Sequence, residues 1–330
     1  MGDPLEKVGL SVDFERCRPL LNKAFPKEPA APGGRPPWDY VRMFKILLLQ
    51  QCYSIADDMT EYLINGRLSF QRFLGLSRGD KVPDAKTIWL FRENLKKRET
   101  HKELFDLFTR RMEIQGVITR AGSLVDASFV DVPKQRNSRE ENRKIKEGEG
   151  GDLWDDDVPK SRQKDKDARW TKKDDETHYG NKDHVKVDRD SKMIVAYAET
   201  HAAVHDSQEV VGLVDERDKV LHGGSAYVGK ELHGALLKKN PNLELKIKEK
   251  GYRNKPLTNE QKANNREKSR IRARVEHVFG HMTNSFGEMF VRTIGIARAR
   301  CQIGLKNLAY NLQRYECLMR LKKIPWPSQG

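Results

Sequence analysis

Apolar residues in the first third of the chain recur at helical spacing. Tyr40, Met43, Phe44, Leu47 and Leu48 mark a buried helix that begins near Trp38, after a Pro- and Gly-rich opening from Pro26 to Pro37. Further helical patterns cover Ala56 to Ile64, Leu68 to Leu74, Asp84 to Leu95 and Leu104 to Val117, with Asp84 as an N-cap and Gly75 and Gly79 punctuating the turns. The pattern changes at Gly122. Ser123 to Val130 alternates as a strand does, and Asp183 to Asp188 and Met193 to Thr200 read as a hairpin joined by Arg189-Asp190-Ser191-Lys192. A helix over Val210 to Asp215, a strand over Lys219 to His222, a helix over Lys230 to Lys239 and a strand over Leu243 to Ile247 follow. Long helices from about Asn265 to Met282 and from Ala297 to Leu321 close the chain. The order predicts an α/β fold with a mixed sheet flanked by helices, preceded by an all-helical N-terminal domain. We divide the chain into 1–120, a helical DNA-binding or dimerisation domain; 121–290, the sheet domain; and 291–330, a C-terminal helix. Residues 133–177 are dominated by Lys, Arg, Asp and Glu, and we expect there an exposed, partly mobile insertion.

Charge sharpens the picture. The 330 residues carry 62 Lys and Arg against 48 Asp and Glu, a net charge of +14, which makes polyanions, and nucleic acid first, the expected partner. Arg42, Lys45, Arg67, Arg72 and Lys86 on the polar sides of the helical region serve either DNA docking or packing. No apolar run approaches the roughly 20 residues of a membrane span. No signal peptide is evident, and Cys17, Cys52, Cys301 and Cys317 stand far apart, so a reducing cytoplasm fits. The pairs His201 with His205 and His277 with His281 lack the Glu and the third ligand of a zinc site. No phosphate-binding glycine loop is present.

Two carboxylates stand out. Asp126 sits in the middle of an apolar strand, where burial requires either a positive neighbour or a capping role. Glu276 lies in a helix with Arg266, Lys268, Arg270, Arg272 and Arg274 before it, one turn from Arg272. The pair reads equally as a surface ion pair or as a metal-binding carboxylate beside a phosphate-binding arginine.

Blocks in colinear order carry a resemblance. They include Leu68-Ser69-Phe70-Gln71-Arg72-Phe73-Leu74-Gly75-Leu76, Val82-Pro83-Asp84-Ala85-Lys86-Thr87, Val125-Asp126-Ala127-Ser128, Pro133 to Asn142, His178-Tyr179-Gly180, His184 to Asp188, Ser225-Ala226-Tyr227-Val228-Gly229 and Arg272 to Gly280. Across nearly its whole length the chain resembles bacterial insertion-sequence transposases of the DDE class, in the group founded on the fifth-numbered insertion sequence. The resemblance implies an RNase H-like sheet domain that binds terminal inverted repeats and target DNA, presumes a homodimer, and cleaves and joins strands with two Mg²⁺ or Mn²⁺ ions. It places the first catalytic and metal-binding Asp at Asp126 and the Glu at Glu276. The second Asp belongs immediately before Ser225-Ala226-Tyr227, where this chain has Gly224. Glycine offers no side-chain oxygen, so we expect binding of double-stranded DNA without cleavage; the alternative is a protein that is non-catalytic by nature, such as a repressor. Arg272 matches an arginine of the family signature, although Ser269 replaces its Tyr and Thr283 its Lys. Expected DNA contacts are Arg136, Arg139, Lys182, Lys186, Arg270, Arg272 and Arg274, and the expected setting is the bacterial cytoplasm in association with the nucleoid.

Overall fold

A computed structural model describes residues 4–25, 37–77, 79–173, 175–252, 256–321 and 323–324. Of the Pro- and Gly-rich opening, all but Pro37 lies outside the described residues. The chain divides into two compact units. One contains the chain up to Val117 together with Asn284–Gly287 and the chain from Gly304 on, and the other contains Ile118–Thr283 with Glu288–Ile303.

The first unit is helical. Its central helix, Tyr40–Tyr53, begins where the Asp39 carboxylate accepts the Arg42 amide at 2.8 Å and ends at Ser54, whose φ is 50°. Val41, Phe44, Leu47 and Leu48 are buried together with Met43, Ile46 and Leu49, so the helix is enclosed on nearly every side. Phe14 packs edge-on against Phe44 and Phe73, and Phe25 stacks on Phe91. Helices Asp57–Gly66, Leu68–Leu74, Ala85–Lys97 and Thr100–Ile114 follow the sequence pattern closely. Asp84 caps the third of these by accepting the Thr87 amide at 2.7 Å. Two basic side chains of this unit pack on its aromatic rings: the Lys45 ammonium lies 5.3 and 4.6 Å from the ring centres of Phe14 and Phe73, and Arg67 stands over Phe70.

The second unit is built on a six-stranded mixed sheet: β1 (Ser123–Asp131), β2 (Arg169–Lys173), β3 (Glu176–Asp188), β4 (Ile194–His201), β5 (Val220–Gly223) and β6 (Glu244–Ile247). β3 lies between β1 on one side and β2 and β4 on the other, each antiparallel to it, while β5 and β6 continue the sheet beyond β1 in parallel. Without β2, which comes from the charged stretch, this is the α/β arrangement of the RNase H-like class: three antiparallel strands, β1, β3 and β4, then two reached by helical crossovers. Val125 and Leu221 point into one core with Val210 and Val214, Leu236 and Tyr227, so helices Val210–Leu213 and Lys230–Lys239 cover that face. Gly180 of β3 has φ 153°, and a Cβ there would collide with the Val130 carbonyl of β1. The glycine of the His178-Tyr179-Gly180 block therefore permits close strand approach.

The charged stretch 133–177 holds more regular structure than its composition predicts. Helix Arg139–Glu147 carries a capping box between Ser138 and Glu141 and ends at Gly148 with φ 83°. The Trp154 indole donates to Glu141 at 2.6 Å. Further on, Asp165 accepts the amides of Asp167 (2.8 Å), Ala168 (2.9 Å) and Gly295 (3.0 Å), and Asp167 accepts the Ile296 amide at 2.9 Å. These two carboxylates tie the stretch to the N-terminus of the long helix Ile296–Arg320, where the helix dipole favours negative charge. These polar ties add to a small apolar cluster of Val132, Ala168 and Tyr179, and hydropathy alone does not reveal them.

Candidate functional site

Asp126 lies at the middle of β1, opposite Val185 of β3. Alternation turns it to the face opposite Val125. Its side chain is only 13% exposed, and the Arg272 guanidinium donates to Oδ2 at 2.9 Å while the Ala127 amide donates to Oδ1 at 3.1 Å. The carboxylate therefore has the positive partner that burial requires.

Gly224 follows the last residue of β5 and opens the short turn Ser225–Tyr227. Its φ of −75° and ψ of 179° suit any residue, so the backbone does not demand glycine there. A Cβ at this position would meet Arg272 Nη1 at 3.1 Å and Cζ at 3.2 Å. The arginine thus lies across the start of the path a side chain at 224 would take. At Gly223 a Cβ would meet the Ile247 side-chain tip at 2.9 Å and the Tyr227 ring at 3.0 Å, so a larger residue there would have to displace both side chains.

Arg272 and Glu276 come from the long helix Asn259–Ser285, which buries Val275 and Val278 and so fixes which face its neighbours present. Glu276 is exposed. Burial opposes the charge on Arg272, but Asp126, with Glu276 and Tyr227 adding to it, raises its pKa above the ordinary arginine value. The Tyr227 phenol is pushed up by burial and then by Asp126 and Asp206. Asp126, Gly224, Tyr227, Arg272 and Glu276, distant in sequence, thus share one electrostatic neighbourhood.

A pair of divalent ions requires several carboxylate oxygens directed at a common point. Asp126 is engaged by a guanidinium, Gly224 contributes no side-chain oxygen, and Glu276 faces solvent. Among the described residues no group of three or more His, Cys, Asp or Glu side chains is arranged to hold a metal. The residues present do not fit a two-metal centre. Asp215 and Asp218 do not replace the missing acid, because Asp215 pairs with Arg217 at 2.8 Å and Asp218 with Lys186 at 2.6 Å.

The expected DNA contacts separate into two groups. Arg136, Arg139 and Arg270 are exposed. Arg274 is partly exposed, donating to the Arg189 carbonyl at 2.8 Å, and Arg272 is held by Asp126. Lys186 does not belong with them: it is 1% exposed and sealed against Asp218, on the same sheet face as its β1 neighbour Val125, beneath the helices. Lys182 is also drawn inward, donating to Asp206 at 2.9 Å and to the Val204 carbonyl at 2.7 Å beside the Phe129 ring. Sequence reasoning did not identify Tyr227 and Asp206 as part of this electrostatic neighbourhood; the signals were the colinear blocks Val204-His205-Asp206-Ser207-Gln208 and Ser225-Ala226-Tyr227-Val228-Gly229.

Comparison with known proteins gives two family matches: one described as "Transposase DDE domain" over residues 119–312, and one described as "Transposase domain (DUF772)" over residues 1–94. A solved structure of the piggyBac transposase, in a synaptic complex with hairpin DNA, is similar over 99% of this chain and 78% of that one, at 11% identity and a TM-score of 0.48.

Proposed function

Because the chain belongs to the family of transposases with a DDE domain, we propose that it recognises the ends of a mobile DNA element and holds them without cutting them. The family cleaves DNA and transfers strands using divalent metal ions. In this reading the chain stands in the group founded on the fifth-numbered insertion sequence, binds terminal inverted repeats as a homodimer, and has lost the chemistry. The observation that carries the loss is at residue 224: the position expected to hold the second catalytic Asp is Gly224, and Arg272 lies against it while neutralising Asp126. Phosphate binding needs none of the missing oxygens. The net charge of +14 and the exposed guanidinia of Arg136, Arg139 and Arg270 supply the electrostatic attraction that anchors a protein on a duplex. The close fit of Arg272 beside Gly224 also favours a second reading, in which non-catalytic binding is the native role and the chain represses its parent element.

Fluorescence anisotropy with a terminal-repeat duplex and a scrambled duplex tests the binding. The repeat is expected to bind more tightly, with log affinity falling linearly against log salt, and each of Arg136→Ala, Arg139→Ala and Arg270→Ala is expected to reduce that slope by about one. Equal affinity for both duplexes with no salt dependence would overturn the proposal.

A further inference from the structure

Asp126 needs a cation and Gly224 has removed an anion, and the same side chain answers both facts. The Arg272 guanidinium donates to Asp126 Oδ2 at 2.9 Å and lies 3.1–3.2 Å from where a Cβ of residue 224 would stand. We infer that Arg272 is a resident counter-cation which has taken over the neutralisation of Asp126, so that this position is complete without a divalent ion and excludes one. The inference deepens the proposed loss of chemistry and rests on reading this neighbourhood as a DDE-type site.

The charge balance supports it. The buried carboxylate carries one negative charge and the guanidinium one positive charge in direct hydrogen-bond contact, while Glu276 is exposed to solvent. A divalent ion approaching Asp126 would have to displace the guanidinium or stand beside it, where like charges repel in a partly desolvated setting. It would gain few oxygens in return, because Gly224 has none to offer and no third acid is gathered among the described residues. A carboxylate growing from position 224 would begin against the guanidinium and compete with Asp126 for it. The acid at 224 and the Asp126–Arg272 pair are therefore alternative ways of balancing one site. In this chain the arginine holds the strand β1 to the long helix directly.

The test needs no DNA, so its failure is separate from failure of the binding reading. Mn²⁺ binding is followed by electron paramagnetic resonance on the full-length chain, on Arg272→Gln, Arg272→Lys and Asp126→Asn, and on Arg272→Gln combined with Asp126→Asn. The wild type is expected to show no Mn²⁺ binding that Asp126→Asn removes, and Arg272→Lys, which keeps the cation, is expected to behave like it. Arg272→Gln is expected to bind Mn²⁺ about tenfold more tightly or better, and the double variant to lose that gain. Wild-type Mn²⁺ binding abolished by Asp126→Asn, or a folded Arg272→Gln that gains nothing, would overturn the inference. Should Arg272→Gln not fold, the wild-type melting temperature decides. It is expected to be the same in Mg²⁺ and in chelator, and a Mg²⁺-dependent rise that Asp126→Asn abolishes would refute the inference.

Discussion

Replacing Lys186 by Met separates a structural lysine from a DNA-binding one. The Lys186 ammonium lies 2.6 Å from Asp218 Oδ2, with the two side chains 1% and 0% exposed, and burial lowers the lysine pKa while Asp218 opposes that fall. Asp218 also accepts the Ser123 hydroxyl at 3.0 Å and the Asp215 amide at 2.8 Å, and Arg120 stands 3.5 Å away. Removing one member of a buried pair strands the other charge, at a cost of about 3–5 kcal/mol. Because Arg120 remains beside Asp218, we place Lys186→Met around and below the lower end of that range, at about 2–4 kcal/mol. For a unit of this size that lowers the melting temperature by roughly 5–15 °C. Adding Asp218→Asn removes the stranded charge; with the amide oxygen accepting from the Asp215 N–H and the amide nitrogen donating to the Ser123 hydroxyl, it should recover about half the loss. Thermal melts measure the first effect, and anisotropy on a terminal-repeat duplex, well below both melting temperatures, measures the second. Affinity per folded molecule should not change. A melt within about 2 °C of the wild type, or a folded variant with sharply weakened binding, would refute the assignment of Lys186 to the core.

Asp165→Ala removes the acceptor for the Asp167, Ala168 and Gly295 amides and should cost about 1–2 kcal/mol, felt first as faster hydrogen exchange across residues 133–168 and at the start of helix Ile296–Arg320. Equal exchange in variant and wild type would contradict the tie. Burial lowers the pKa of His101, His184 and His222 from the ordinary 6.5 to about 4. Their neutral forms therefore favour the fold fully above pH 6.5, and that stability is lost as pH falls from 6.5 towards 4, by up to about 1.4 kcal/mol per pH unit for each histidine. Urea titrations at steps across that range should show a steady decline, and a flat profile would mean that the rings are not held neutral.

Much of the fold was legible because its signals are local. Asp84 and Gly75 bracket their helices, and the β3–β4 hairpin follows from alternation and four turn residues. The colinear blocks made Asp126, Gly224 and Glu276 a candidate site, and the structure brings all three into the surroundings of Arg272. The expected DNA contact that the structure contradicts is Lys186, which is buried against Asp218. Lys186 lies between Val185 and Val187, and helices cover its face too, so alternation carried no information about exposure there. The regular structure in the stretch 133–177 was not legible, because part of it is held by carboxylates accepting specific backbone amides, and composition does not encode which amides those are. The pairing of Arg272 with Asp126 spans 146 residues and depends on the placement of the long helix against the sheet. Helical spacing within Arg272 to Glu276 pointed only to the local neighbour.

The central claim is that Gly224 has cost this chain its DNA-cutting chemistry while leaving its DNA binding. Its most direct test is a gel assay of a labelled terminal-repeat duplex incubated with Mg²⁺ or Mn²⁺ and either the wild-type chain or Gly224→Asp, whose backbone angles admit aspartate without strain. The account predicts a bound but intact duplex with the wild type, and strand cleavage only with the aspartate variant. Metal-dependent cleavage by the wild-type chain that Asp126→Asn abolishes would contradict it.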